Sequence, residues 1–402
     1  MSADPNRLAK RNAVTLGLAG SFVQGTAPIC ISLGGLAGVY LLGDSSPYVT
    51  APVTSYNVGV ALGALPAAML MRKVGRRYGF MSGSMVGLMA AGVATLGLFQ
   101  ANIFIFCLGL AMFGINGSFA QQYRFAAADE GTADFKPKAI SWVLAGGILA
   151  AIIGPQTAIY FKDMFLPVEF AGAFFAGGFL AIIGMIILSF LKFEKPQKPD
   201  PEVVEDTGRP LSVIMAQPKF IVALLCAVGS YSLMSFVMTG APLAMVACGI
   251  STENATLGIQ WHVMAMFGPS FFTGNLIARF GKERIVATGL LLLVVCAIVS
   301  LSGLELWRFW LALVLLGVGW NFGFIGATAM LTETYEPNEK SKAQGAHDFV
   351  LFTSVAIGSL MSGITLNAYG WEMINYVVFP AVGLCLAGLL WLNLQQRSKK
   401  AV

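Results

Sequence analysis

Charge is scarce in this chain. Acidic and basic side chains together make up 11% of its 402 residues, and 56% are hydrophobic; soluble domains usually carry roughly 25% charge. Lipid is therefore the expected solvent, and an integral membrane protein the expected class. Histidine is almost missing, with only His262 and His347 present. No H-E-x-x-H, phosphate-binding P-loop or G-x-S-x-G elbow occurs, so an ATP-driven pump or an intramembrane hydrolase lacks its residues. The six cysteines (Cys30, Cys107, Cys226, Cys248, Cys296, Cys385) form no C-x-x-C pair and lie in apolar segments. They read as small buried hydrophobes. No metal, no cofactor and no enzymatic chemistry are expected. Strand-like alternation of period two is also lacking, which argues against a β-barrel.

What the chain has instead is a series of about twelve apolar stretches of roughly 20 residues, the length that crosses a ~30 Å hydrocarbon core as helix. The expected spans are 12–40, 48–71, 79–99, 102–125, 138–160, 166–191, 218–246, 255–278, 285–304, 306–331, 343–369 and 372–394. The first is too long for a signal-peptide core and no clear small-x-small cleavage site follows, so it reads as a retained helix. With the N-terminus inside, 23 of the 25 lysines and arginines fall in or beside cytoplasmic segments, and Lys162 and Arg308 fall outside. This is the positive-inside asymmetry, and it puts both termini in the cytoplasm of a multi-pass inner-membrane protein. The net charge of +5 is thus a topology signal, and no nucleic-acid partner is expected.

Two short basic signatures sit half a chain apart. Arg72-Lys73-Val74-Gly75-Arg76-Arg77 and Ala278-Arg279-Phe280-Gly281-Lys282-Glu283 place their glycines 206 residues apart. Gly114-Ile115-Asn116 matches Gly319-Trp320-Asn321 at a separation of 205, and Lys138-Ala139 matches Lys342-Ala343 at 204. Like spacing of three features indicates a duplicated unit. The longest polar stretch, Lys192 to Gln217, contains Pro196, Pro199, Pro201 and Pro210 among mixed charges and reads as a linker. The expected organisation is an N-terminal six-helix bundle over 1–191, a cytoplasmic linker over 192–217 and a C-terminal six-helix bundle over 218–402. Parallel repeats of this kind leave a central cavity near the membrane midplane.

The two basic loops resemble the G-x-x-x-D-[RK]-x-G-R-[RK] motif of the major facilitator superfamily. The first copy keeps Lys73, Gly75, Arg76 and Arg77, and the second keeps Gly274, Arg279, Gly281 and Lys282. The resemblance covers essentially the whole chain and implies an all-α membrane protein of twelve helices in two six-helix pseudo-repeats. It departs at the acidic position, held by Arg72 and Ala278, and at the first glycine, replaced by Ala68. In the superfamily that acid latches neighbouring helix ends, so a latch of swapped sign is one expectation, with Arg72 meeting Asp129 or Glu130; the other is that Arg72 only adds to the positive-inside charge. Arg72, Gly75, Arg76, Asp129 and Gly281 are the gating candidates. Tyr123-Arg124-Phe125-Ala126-Ala127-Ala128-Asp129, Gln344-Gly345, Asp348-Phe349, Gly370-Trp371 and Asn375 look like a proteobacterial branch that includes bacterial riboflavin transporters.

A charge near the centre of a membrane helix costs about 2.5–3.5 kcal/mol on insertion scales, so each one present needs a reason. Arg124, about 7 Å deeper than Asp129, either holds an anionic or carbonyl-rich substrate, pairs with a carboxylate, or snorkels to the interface. Asp348, some six residues into span 11, suits proton coupling, because desolvation raises a carboxyl pKa; an ion pair with Arg279 or another loop cation is the structural alternative. His262 is the second coupling candidate, with a hydrogen bond to a neighbouring helix as its alternative. In the resembling fold, spans 1, 4, 7 and 10 line the cavity, which selects Gln24 and Thr26, Asn116 and Phe119, Tyr231 and Ser235, and Trp320, Asn321 and Phe324. Amides beside aromatic rings suit a flat heterocycle. Gly154-Pro155, with Gly146 and Gly147, is a partial glycine-proline pattern of superfamily antiporters and reads as a packing hinge.

These features together predict a monomeric secondary transporter for a small organic molecule, moved by alternating access and driven by protons. Uptake of a riboflavin-like heterocycle, proton-linked efflux, and a non-transporting receptor on the same scaffold are the three alternatives.

Overall fold

The computed structural model describes residues 6–129, 132, 135–193 and 208–400, so most of the expected linker lies outside the described residues. Among those described, every long element is an α-helix. The first run comprises α1 (Arg7–Val23), α2 (Thr26–Leu42), α3 (Ala51–Val74), α4 (Arg76–Phe99), α5 (Ile103–Gln121), α6 (Tyr123–Asp129), α7 (Lys136–Phe161) and α8 (Ala171–Leu188). After the short α9 (Leu211–Met215) follow α10 (Pro218–Ala247), α11 (Thr252–Phe267), α12 (Ser270–Phe280), α13 (Lys282–Leu301), α14 (Leu306–Leu331), α15 (Lys340–Tyr376) and α16 (Val378–Lys400).

Eleven helical runs among the described residues are long and apolar enough to cross a membrane, counting α1 and α2 as one. The one expected span not among these eleven is the eighth, 255–278, which is divided into α11 and α12 at Gly268-Pro269. Proline has no N–H to donate to the carbonyl four residues earlier, so the ladder is interrupted there. The expected first and fourth spans are also interrupted, at Gln24-Gly25 and at Gln122. The sixth is shorter than expected, because residues 166–170 form turns and Phe170 takes a left-handed φ of +64°. Large apolar side chains such as Leu62, Leu65, Phe104, Leu390 and Leu394 stand exposed on the outer faces, as lipid contact requires.

The helix packing repeats along the chain. In the first part α1 packs on α7, α3 and α4 on α5, and α4 on α8. In the second part α10 packs on α15, α11 and α13 on α14, and α13 on α16, which are the same pairs shifted by one repeat. The buried apolar clusters divide the same way: one draws almost wholly on residues after 213, and two draw on residues before 192 with Leu243. Gly75 and Gly281 have matching backbones, with φ of +82° and +91° and ψ of 162° and 153°. Side chains rarely tolerate that region, so glycine is what lets α3 turn directly into α4, and α12 into α13.

The two parts meet at the end opposite these basic loops. There Lys162, capping α7, pairs with Glu253 at the start of α11 at 2.9 Å, and Gln156 Nε2 donates to Gln260 Oε1 at 2.9 Å. Thr54 Oγ1 donates to Ser359 Oγ and Asn367 Nδ2 to the Asp44 carbonyl, both at 3.4 Å. The Glu253 carboxyl is held below the usual carboxylate range, chiefly by the Lys162 hydrogen bond.

Candidate functional site

Between the two parts lies a cavity of about 270 Å³ lined from α1, α2, α3, α5, α6, α7, α10, α11, α14 and α15. Its wall from the second part is aromatic. Tyr231 on α10 meets the rings of Trp320, Phe324 and Phe352 edge-on at centroid distances of 5.2, 5.1 and 6.1 Å. Trp320 and Phe324, four residues apart on α14, stack at 5.3 Å. The opposing wall sets Gln24, Asn57, Gln121 and Arg124 among aliphatic side chains such as Ile31, Val60 and Leu144. Gln24 and Arg124 reach it because the helices break beside them, at Gln24-Gly25 and at Gln122.

Arg124 and Asp348 are the two formally charged side chains in the lining. Both are exposed, and both lie near the basic-loop end of their helices, so solvent reaches the cavity from that side. His347 Nδ1 donates to the Asp348 carboxylate at 2.9 Å, with Asp348 58% exposed. The expected alternative of an Asp348–Arg279 pair is not what forms; the Arg279 guanidinium lies over the Phe280 ring at 5.2 Å. The Arg124 guanidinium lies 4.8 Å from the Phe125 ring centroid.

Of the expected substrate-binding and coupling candidates, Gln24, Thr26, Arg124, Tyr231, Ser235, Trp320, Phe324 and Asp348 line the cavity. Asn116, Phe119, Asn321 and His262 do not. Asn116 is fully buried and its amide abuts Gly87 on α4, without a hydrogen-bond partner. Phe119 packs over Gly83 on the same helix. Asn321 clamps the α11–α12 break: its Nδ2 donates to the Met266 carbonyl and to Ser270 Oγ, each at 2.7 Å, and its Oδ1 accepts from Thr273 Oγ1 at 2.6 Å. His262 is fully buried and Nδ1 donates to the Leu313 carbonyl at 2.8 Å, tying α11 to α14. These four lie on faces of their helices turned towards neighbouring helices.

Of the gating candidates, Arg72, Gly75, Arg76 and Gly281 stand outside the cavity. Arg72 is exposed at the end of α3, Gly75 lies between α3 and α4, and Arg76 begins α4. The side chain of Asp129 and all of Glu130 lie outside the described residues, and the expected Arg72 latch with them. The second basic loop is tied down differently, since Lys282 and Lys219 both bond to Glu333 beyond the end of α14.

Tyr56, Asn57, Phe267 and Phe352 also line the cavity. Asn57 is visible in the sequence as a lone amide within an apolar run, but spans 1, 4, 7 and 10 do not contain it. These residues come from spans 2, 8 and 11, which border the cavity because α3 packs on α15 and α7 on α11.

The chain matches the family model described as Major Facilitator Superfamily over residues 14–298 and 263–402. It is 50% identical over 382 residues to a protein of Brucella anthropi named riboflavin transporter RfnT, covering 95% of this chain and 96% of that one. It is 30% identical to the transporter YddS of Bacillus subtilis, covering 86% and 82% of the two chains. Among solved structures, a variant of the nucleoside transporter NupG superposes with a TM-score of 0.71 at 13% identity, covering 96% of this chain and 99% of that one; this likeness is one of fold.

Proposed function

The chain belongs to the major facilitator superfamily, and on that premise we propose that it imports a riboflavin-like heterocycle across the bacterial inner membrane. It is a multi-pass secondary transporter of a small molecule. The observation that carries the choice of cargo is the 50% identity, across nearly the full length of both chains, to a protein named as a riboflavin transporter. The cavity agrees with that choice. Tyr231, Trp320, Phe324 and Phe352 offer ring faces and edges to a flat heterocycle, and Gln24, Asn57 and Gln121 offer amides to its polar edge and hydroxylated chain.

The moving bodies are residues 1–191 and 218–402, linked through 192–217. They rock about the cavity, with the basic loops and both termini on the cytoplasmic side. This arrangement is then the inward-facing one, closed by Lys162–Glu253 and Gln156–Gln260 on the outside. Uptake is driven by the proton gradient; Asp348 opens to the cavity and is bonded to His347, and His262 is buried and bonded to the Leu313 carbonyl. The protein works as a monomer, without cofactor or covalent chemistry.

Expression in a riboflavin-requiring bacterium tests the reading. Rescue of growth at low riboflavin, with accumulation of radiolabelled riboflavin, is the expected outcome. Efflux is the second reading, favoured by Gly154-Pro155 in α7, and it predicts faster loss of preloaded flavin or dye and no rescue.

A further inference from the structure

The cavity is balanced in charge. Arg124 on α6 and Asp348 on α15 contribute one formal charge of each sign, one from each part of the molecule, and the remaining lining is aromatic, aliphatic or neutral polar. Both are exposed into the cavity, and among the described residues no ion pair joins them; Asp348 is bonded to His347 and Arg124 lies beside Phe125. Neither charge is taken up by the other, and both side chains are open to a solute.

Alternating access carries the solute through a state closed at both ends, where water is largely excluded and the charges of protein and solute must offset each other locally. With Arg124 and Asp348 opposed, an uncharged heterocycle leaves no surplus. The phosphate ester of the same heterocycle adds about −1.5 to −2 at neutral pH. Arg124 alone would recruit it, since guanidinium and phosphate form strong charge-assisted hydrogen bonds, but Asp348 would then face a like charge in a volume of about 270 Å³.

We infer that Asp348 is a specificity-determining residue that confines the cargo to uncharged heterocycles and rejects their phosphate esters, by offsetting the Arg124 charge. The identity of the ring rests on the flavin reading; the sign rule rests on the two side chains.

Titration of purified full-length protein with riboflavin and with flavin mononucleotide tests both, read from flavin fluorescence. Wild-type protein is expected to bind riboflavin more tightly by about tenfold or more, and Asp348→Asn to close that gap by about tenfold through gained affinity for the phosphate ester. Arg124→Gln should widen it. Equal binding of the two flavins by wild type, or an unchanged ratio in Asp348→Asn, overturns the inference and leaves the flavin reading standing. Failure of wild type to bind riboflavin overturns the flavin reading instead, and the sign rule is then decided without a substrate. For that, Gln121→Cys in a Cys248→Ser background is labelled with anionic and cationic methanethiosulfonates. Asp348→Asn should raise the ratio of anionic to cationic labelling rates severalfold, and no change in that ratio sinks the rule.

Discussion

Asn116 and Asn321 occupy equivalent places in the repeat, yet they do different work. Asn321 satisfies a helix carbonyl and two hydroxyl groups at the α11–α12 break, whereas the Asn116 amide is buried against Gly87 without a partner. Truncation of Asn321 strands buried polar groups, which costs about 1–3 kcal/mol for each one left unpaired. Asn321→Ala should therefore lower the midpoint of thermal inactivation clearly, and Asn116→Ala should lower it less; equal effects would contradict the clamp. Tyr231 is the hub of the aromatic wall, touching three rings. With each aromatic pair worth about 0.5–1.5 kcal/mol, Tyr231→Ala should weaken ligand binding by about tenfold in an equilibrium titration.

Helix pairs are set by glycines that only the folded chain explains. A Cβ added at Gly146 would lie 2.1 Å from the Gly17 carbonyl oxygen, and one at Gly154 would lie 2.2 Å from that of Gly25. The glycines of α7 thus let its backbone touch α1 and the α1–α2 break, the close approach that small residues permit in membranes. Gly146→Ala forces those backbones apart and should destabilise by about 1–3 kcal/mol, as overpacking does. Gly383→Ala on α16, where nothing lies within 4 Å of the new Cβ, should be neutral or slightly stabilising. At the start of the second part, the Arg209 side chain and backbone N–H hydrogen-bond to buried Glu339, and Arg209 also donates to the Thr334 carbonyl. The Arg209 hydrogen bond holds the Glu339 carboxyl at about 2. A depressed carboxyl pKa means that this anchor is fully present above the ordinary carboxylate value and is lost as pH falls towards about 2. Between pH 5 and pH 9 proteolysis near Arg209 should be unchanged, and Glu339→Gln should speed it at every pH in that range.

For the molecule as a whole, the Lys162–Glu253 end is closed by polar contacts between the first and second parts of the chain, beside apolar packing such as Leu243 against Gly35. Lys162 is shared between Asp163 at 2.5 Å and Glu253 at 2.9 Å. Replacing Glu253 by Lys puts like charges in contact at the seam, so the equilibrium should move towards opening on that side. Cysteine reagents added from outside should then reach a cysteine at Gln121 faster than in the otherwise identical protein, and protection of that site would contradict the assignment of the closed end. Since the Glu253 carboxyl is depressed by Lys162, the closure holds above the ordinary carboxylate range and weakens only as pH falls below it.

The amino-acid order alone determined the membrane class, the twofold repeat and its two basic loops, because apolar length, charge placement and glycine spacing are local quantities that need no partner to be read. Gln24, Arg124, Tyr231, Trp320 and Asp348 were legible as cavity residues for a related reason: polar or aromatic groups deep in apolar helices stand out against their surroundings. Tertiary structure alone decided which face of each helix turns inward. Asn116, Asn321 and His262 satisfy every sequence criterion for a site, but rotation of their helices commits them to neighbouring helices. Asn57 and Phe352 belong to spans that border the cavity only because the two bodies tilt together at the Lys162–Glu253 end. Helix rotation and body tilt are set by packing between segments distant along the chain, and periodicity within one segment carries no record of either.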